Sequence, residues 1–146
     1  MRTRPHPDIP VTDDGELTER WGALLHLNGP PSDRRLFLAW LRGDGTMVKL
    51  LIPVEELPVE PDRVAIGGLA DLHAVVAEAE GIEGTDLHLA MCLERPGPAM
   101  PTPDDAAWCA AIASIVRERQ GIDCSLHLHD GRTSCPLLAR RAWPSR

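Results

Sequence analysis

The order of apolar patterns along the chain predicts an α/β (α+β) fold: a mixed sheet of about five strands packed by two main helices. Three observations carry this. Five short runs have strand character, and two longer stretches repeat apolar residues at helical spacing before a glycine. Two of the connections are Gly43-Asp44-Gly45 and Asp130-Gly131, residues that tolerate the left-handed backbone of a tight hairpin. The resulting order is strand, strand, helix, strand, helix, strand, strand. A chain of 146 residues fits one domain, which the patterns place at residues 16–139.

Residues 1–15 are rich in Pro, Asp and Arg without periodicity and read as a disordered tail. Around Trp21, Leu24, Leu25 and Leu27, residues 16–28 read as a short helix or strand, ended by Asn28-Gly29-Pro30-Pro31. Leu36 to Leu41 is an apolar run of the buried-strand type, and the strand returning from the turn spans Thr46 to Val54, ending or bulging at Pro53. A linker from Glu55 to Asp62 leads to a helix from about Gly68 to Glu80, with Leu69, Leu72, Val76 and Ala79 on one side and Gly81 as its stop. In the third strand, Asp86 to Leu93, the residues Leu87, Leu89, Met91 and Leu93 share one face. His88, Ala90 and Cys92 share the other.

The fourth connection precedes the clearest helix start. Thr102 is placed to cap, Pro103 suits the first helical position, and Asp105 completes a capping box. This helix runs to about Gln120, burying Trp108, Ile112, Ile115 and Val116, with Gly121 as its stop. Strands at 122–129 and 133–138 flank Asp130-Gly131, and residues 140–146 read as a frayed tail.

Composition narrows the function classes. A net charge of -7 argues against duplex nucleic acid, whose binding requires neutralised phosphates. Four Trp, one Phe and no Tyr give little material for base-stacking platforms. Fourteen Arg against one Lys, Lys49, look like compositional bias, since the arginines are scattered along the chain. No apolar run reaches the ~20 residues of a membrane helix, and the start lacks a signal-peptide pattern. The chain is therefore expected to be cytoplasmic, with Cys92, Cys109, Cys124 and Cys135 as free, mostly buried thiols.

Few residues suggest chemistry. In His127-x-His129 two imidazoles share one strand face and could approach one metal, with Cys135 across the hairpin or Asp130 as a further ligand. The simpler reading is an edge strand bearing two solvated histidines, with Asp130 explained by the turn. There is no GxSxG elbow, Walker lysine or dinucleotide loop, and Ser114, Ser125 and Ser134 have no local base. Carboxylates at Glu55-Glu56 and Glu78-Glu80-Glu83 read as solvated surface, and Asp104-Asp105 as a helix start favoured by the dipole.

Residues Leu93-Glu94-Arg95-Pro96-Gly97-Pro98-Ala99-Met100-Pro101-Thr102-Pro103-Asp104 join a strand to a capped helix. They are followed by Gly121-Ile122 and His129-Asp130-Gly131-Arg132. This arrangement resembles the JAB/MPN metalloprotease-like domain, in particular its bacterial RadC branch, over residues 34–138. In that family two loop histidines and a downstream aspartate hold zinc, and a glutamate acts as general base. The resemblance places Leu93 and Arg95 at the histidine positions and Ala107 near the aspartate, in a loop one residue longer. It therefore implies a domain without the family's metal chemistry, a protein-interaction or regulatory scaffold with another protein as partner and no cofactor. The candidate binding loop is Glu94, Arg95, Pro96, Pro98 and Thr102. Two alternatives stand beside it: a zinc-dependent hydrolase using His127, His129 and Cys135, and a regulator contacting nucleic acid through the scattered arginines. The sequence leaves a homo-oligomer open.

Overall fold

The computed structural model describes residues 9–26 and 29–144. Its elements are α1 (Asp14–Leu25), β1 (Arg35–Leu41), β2 (Ile52–Val54), α2 (Arg63–Gly67), α3 (Leu69–Glu80), β3 (His88–Glu94), α4 (Pro103–Ile112), β4 (Cys124–His129) and β5 (Ser134–Leu138). The last turns of α4 continue as a π-helical segment, Ala113–Arg119. The strands form one mixed sheet in the order β2-β1-β3-β4-β5, with β3 and β4 parallel and the other neighbours antiparallel. The predicted α+β class with a five-strand mixed sheet holds, and the elements follow the predicted order along the chain with α1 added before β1 and α2 before α3.

Alternation along the strands divides the core in two. Leu36, Leu38 and Trp40 of β1, Leu89, Met91 and Leu93 of β3, and Cys124, Leu126 and Leu128 of β4 face the main core, closed by residues of α2, α3 and α4. Phe37, Ala39, Leu41, Ala90 and Cys92 face the other way, onto Leu17, Trp21 and Leu25 of α1. The sheet is thus a middle layer, covered by several helices on one side and by α1 on the other.

Large side chains are fixed through their polar ends as well as by packing. Trp40 donates its Nε1–H to His73 Nδ1 (3.2 Å), and His73 Nε2 reaches the Gly84 carbonyl (2.9 Å). The indole can only donate, so the His73 ring proton lies on Nε2 and both nitrogens are satisfied. Trp108 donates to the carbonyls of Val59 (2.9 Å) and Pro58 (3.2 Å), tying α4 to the segment after β2.

Several sequence boundaries shift. Strand pairing from Thr46 to Val54 is broken: Met47 makes an isolated bridge with Leu41, Leu50 N–H turns back to the Val48 carbonyl, and regular pairing resumes at Ile52. Pro53 lies inside β2 rather than ending it, tolerated because β2 is an edge strand. The short helix α2 precedes the predicted start at Gly68. Helix α1 begins inside the stretch read as a disordered tail, and Val11 is buried with its N–H bonded to the Gly45 carbonyl (2.8 Å). Residues 1–8 of that tail, 27–28, and 145–146 at the other end lie outside the described residues. Arg140 is not frayed. It pairs with Asp123 at 2.7 Å and lies over the Trp143 ring, 4.7 Å from its centroid.

Gly45 carries the Val11 crossing. Its φ is +87°, and a Cβ there would lie 2.4 Å from the Val11 carbonyl oxygen. Gly45→Ala is expected to lower stability by about 2 kcal/mol or more. Urea unfolding monitored by tryptophan fluorescence checks this, with Gly67→Ala, which meets nothing within 4 Å, as the mild control.

Candidate functional site

The loop after β3 is organised by one side chain. Arg95 donates from Nε to Asp105 Oδ1 (3.1 Å) and from Nη2 to Oδ2 (2.6 Å), a two-point contact between its planar fork and a carboxylate. The same guanidinium donates to the carbonyls of Pro98 (2.8 Å), Met100 (2.9 Å) and Pro96 (3.2 Å). Asp105 also accepts the Thr102 N–H (2.9 Å) and closes the predicted capping box with it. Arg95 is 4% exposed and Asp105 fully buried. Burial pulls the Asp105 carboxyl upward, but the hydrogen bonds from Arg95 and Thr102 outweigh it and leave the carboxyl below its ordinary value. Hydrogen bonding to Asp105 raises Arg95 in turn.

Two further ties hold the loop from the hairpin side. Ala99 N–H reaches Asp130 Oδ2 (3.1 Å), and the Cys135 thiol reaches the Ala99 carbonyl (3.3 Å). What faces solvent is apolar and proline-rich: Pro96, Pro98, Met100 and Pro101 are exposed, Met100 at 69%.

The predicted binding loop therefore separates into different roles. Pro96 and Pro98 are exposed, and Thr102 caps α4 while remaining exposed. Arg95 has turned inward, and Glu94 lies on the opposite face, 1% exposed and 3.3 Å from His129 Nδ1. Of the positions matched to the family's metal ligands, Leu93 is buried in the main core, Arg95 is engaged as above, and Ala107 is exposed on α4. An aliphatic chain, a guanidinium and a methyl group cannot ligate zinc. These residues do not fit the metal.

The histidine pair also departs from expectation. β4 is an interior strand, flanked by β3 and β5, so His127 and His129 are fully buried rather than solvated. They do share a face. Cys135, however, pairs with Leu128 across the hairpin and packs on the main core, on the other side of the sheet. His127, His129 and Cys135 therefore do not converge. Among the described residues, no three His, Cys, Asp or Glu side chains are grouped to hold a metal ion. Asp130 serves the turn, accepting the N–H groups of Arg132 and Thr133 (2.8 Å each).

Sequence reading alone misses a polar chain on the same face. His88 Nδ1 lies 3.0 Å from Asp123 Oδ2, and His88 Nε2 lies 2.8 Å from Ser125 Oγ. A carboxylate only accepts, so the ring proton sits on Nδ1 and Ser125 donates to Nε2. Asp123 is held in turn by Arg140 Nε (2.8 Å). Burial pulls Asp123 upward, but its bonds to His88 and Arg140 leave it below the usual carboxylate range. The serine, histidine and aspartate are ordered as in a hydrolytic triad. Yet Ser125 and His88 are fully buried, and the Trp143 ring lies 6.2 Å from that of His88. In this form the chain anchors the C-terminal segment and presents no nucleophile to solvent.

No family model matches this chain, and no solved structure does. Over 102 residues, 68% of the chain, it is 32% identical to the DNA-directed RNA polymerase subunit beta of Levilactobacillus brevis. The chain spans 8% of that subunit's length, so the similarity concerns a short segment of a large protein. No helix among the described residues is long and apolar enough to cross a membrane.

The loop's dependence on Arg95 is measurable. Arg95→Met leaves the buried Asp105 carboxylate without its two-point contact and with only the Arg34 guanidinium, 3.8 Å away, to balance it, which is expected to cost about 3 kcal/mol in chemical denaturation. Arg95→Lys recovers only part, because an ammonium cannot span both carboxylate oxygens and the loop carbonyls together.

Proposed function

We propose that this chain is a non-catalytic JAB/RadC-like domain acting as a protein-interaction scaffold in the cytoplasm. The observation that supports this reading is the use of Arg95. At a position where the family has a metal ligand, the side chain spends its donors on Asp105 and on three loop carbonyls. The result is a stapled loop whose proline and methionine side chains point outward. A loop ordered in advance loses little conformational entropy on binding, and Met adapts to irregular apolar surfaces. The strong negative charge favours a protein partner over nucleic acid. Similarity to a segment of an RNA polymerase subunit agrees with a place in a protein assembly.

The partner is sought with a photo-cross-linking residue placed at Met100 in cells, with Val75, 61% exposed on α3, as the control position. The scaffold reading expects a discrete protein adduct at Met100, absent at Val75 and weakened at least several-fold by Pro98→Gly. Equal labelling at both positions, or none at Met100, contradicts it. So does purified protein carrying one zinc per chain with a hydrolytic activity abolished by His127→Ala.

A further inference from the structure

The two faces of the sheet are covered unequally. The main core is closed by α2, α3 and α4, whereas the opposite face is closed by α1 together with Val11, Met47 and the half-buried Trp143. Part of the sheet surface on this side is polar, and His127 within it touches Thr18 of α1. His88 and Glu94 of β3 and Ser125, His127 and His129 of β4 are each no more than 1% exposed. We propose that α1 is a proton-operated cover: protonation of the histidines beneath it releases this helix while the main core stays folded, exposing the surface around Phe37, Ala39, Ala90 and Cys92.

Hydrogen-bond roles identify His127 as the trigger. Thr18 of α1 donates its hydroxyl proton to the Asp14 carbonyl (2.9 Å). Its oxygen must therefore accept from His127 Nε2, 2.8 Å away. His127 is thus the Nε2–H tautomer, and its Nδ1 is buried with no hydrogen-bond partner among the described residues. A second proton arriving at Nδ1 creates a cation with an unpaired N–H under the helix, a costly state that opening relieves. The neighbouring rings differ. His88 has Asp123 at 3.0 Å and His129 has Glu94 at 3.3 Å, carboxylates able to balance a ring charge.

The charged and titratable groups around His127 are Asp14 from α1, His88, Cys92 and Glu94 from β3, His129 on its own strand, and Asp123, Arg117 and Arg140 near His88. Burial dominates, and it outweighs the upward pull of Asp14 to push His127 down to about 4 from 6.5. His88 is lowered as well, mainly by burial. Between these two pH values the open form binds more protons than the closed one, so closure is full above about pH 6.5 and weakens as pH falls toward 4. A difference of about 2.5 pH units lets His127 alone raise the opening constant up to about 300-fold.

The two buried cysteines report the two faces separately. Cys92 lies under α1, and Cys124 lies in the main core. The full chain is treated with 4,4′-dithiodipyridine, a thiol reagent usable in acid, at pH 7.5 and 4.5, and each site is read by peptide mapping. Rates are normalised to a free thiol at the same pH. Release of α1 gives at least a ten-fold rise at Cys92 at pH 4.5 with Cys124 unchanged. His127→Gln, whose amide keeps a donor for Thr18 and does not titrate, suppresses most of the rise. Hydrogen exchange on the unmodified chain gives a second reading, with α1 amides losing protection in acid and α4 amides keeping it. Protection of Cys92 at pH 4.5, joint labelling of Cys92 and Cys124, or an unchanged rise in His127→Gln would overturn the proposal.

Discussion

The buried contact between Arg95 and Asp105 is the constraint on which the rest of the candidate surface depends. An aspartate with no exposure must have its charge balanced and its lone pairs filled. Arg95 does both at two points, and Thr102 completes the set. Because the guanidinium has donors to spare, one side chain also collects the carbonyls of Pro96, Pro98 and Met100. Helix start, loop path and loop exposure thus follow from one ion pair. This also gives the prolines their role: they have no N–H to satisfy, so a loop rich in them needs mainly donors for its carbonyls, and Arg95 supplies them.

The sheet's two faces follow different rules. Toward α2, α3 and α4 the core is mainly aliphatic, with Trp40, Trp108 and Met91 among the Leu, Ile and Val side chains. Toward α1 it accepts histidines, a serine and a glutamate, each placed by the parallel register of β3 and β4, which sets Ala90 beside Ser125, Cys92 beside His127 and Glu94 beside His129. A buried polar layer is favourable only while its donors and acceptors match. Around His88 the match is complete. At His127 Nδ1 and His129 Nε2 it is not, and that mismatch distinguishes the α1 face from an ordinary core.

Much of this architecture is legible in the residues. The Thr102-Pro103-Asp104-Asp105 start of α4, the Gly81 stop of α3 (φ +69°) and the alternation of β3 are read correctly because they are local. What escapes is long-range or ambiguous. His88, Asp123 and Ser125 meet only because β3 and β4 are adjacent, a pairing that spacing does not reveal. The burial of His127 has the same cause, since an HxH strand looks alike at an edge or in the interior. The tail boundary fails for a different reason: Asp13 caps α1 through the Glu16 N–H, a start signal hidden in a proline- and aspartate-rich stretch. The role of Arg95 is legible only halfway. Its charge rules out a metal ligand, but its partner ten residues on requires the fold.

The central claim is that the loop after β3 is a rigid, stapled element rather than a vacated metal site. Backbone 15N relaxation measures this directly at Gly97, Ala99 and Met100, which carry N–H groups between the prolines. Order parameters of about 0.85, equal to those of β3, are the result this account predicts. Values below about 0.6 at these positions would contradict it, because they describe a flexible loop that Arg95 does not hold.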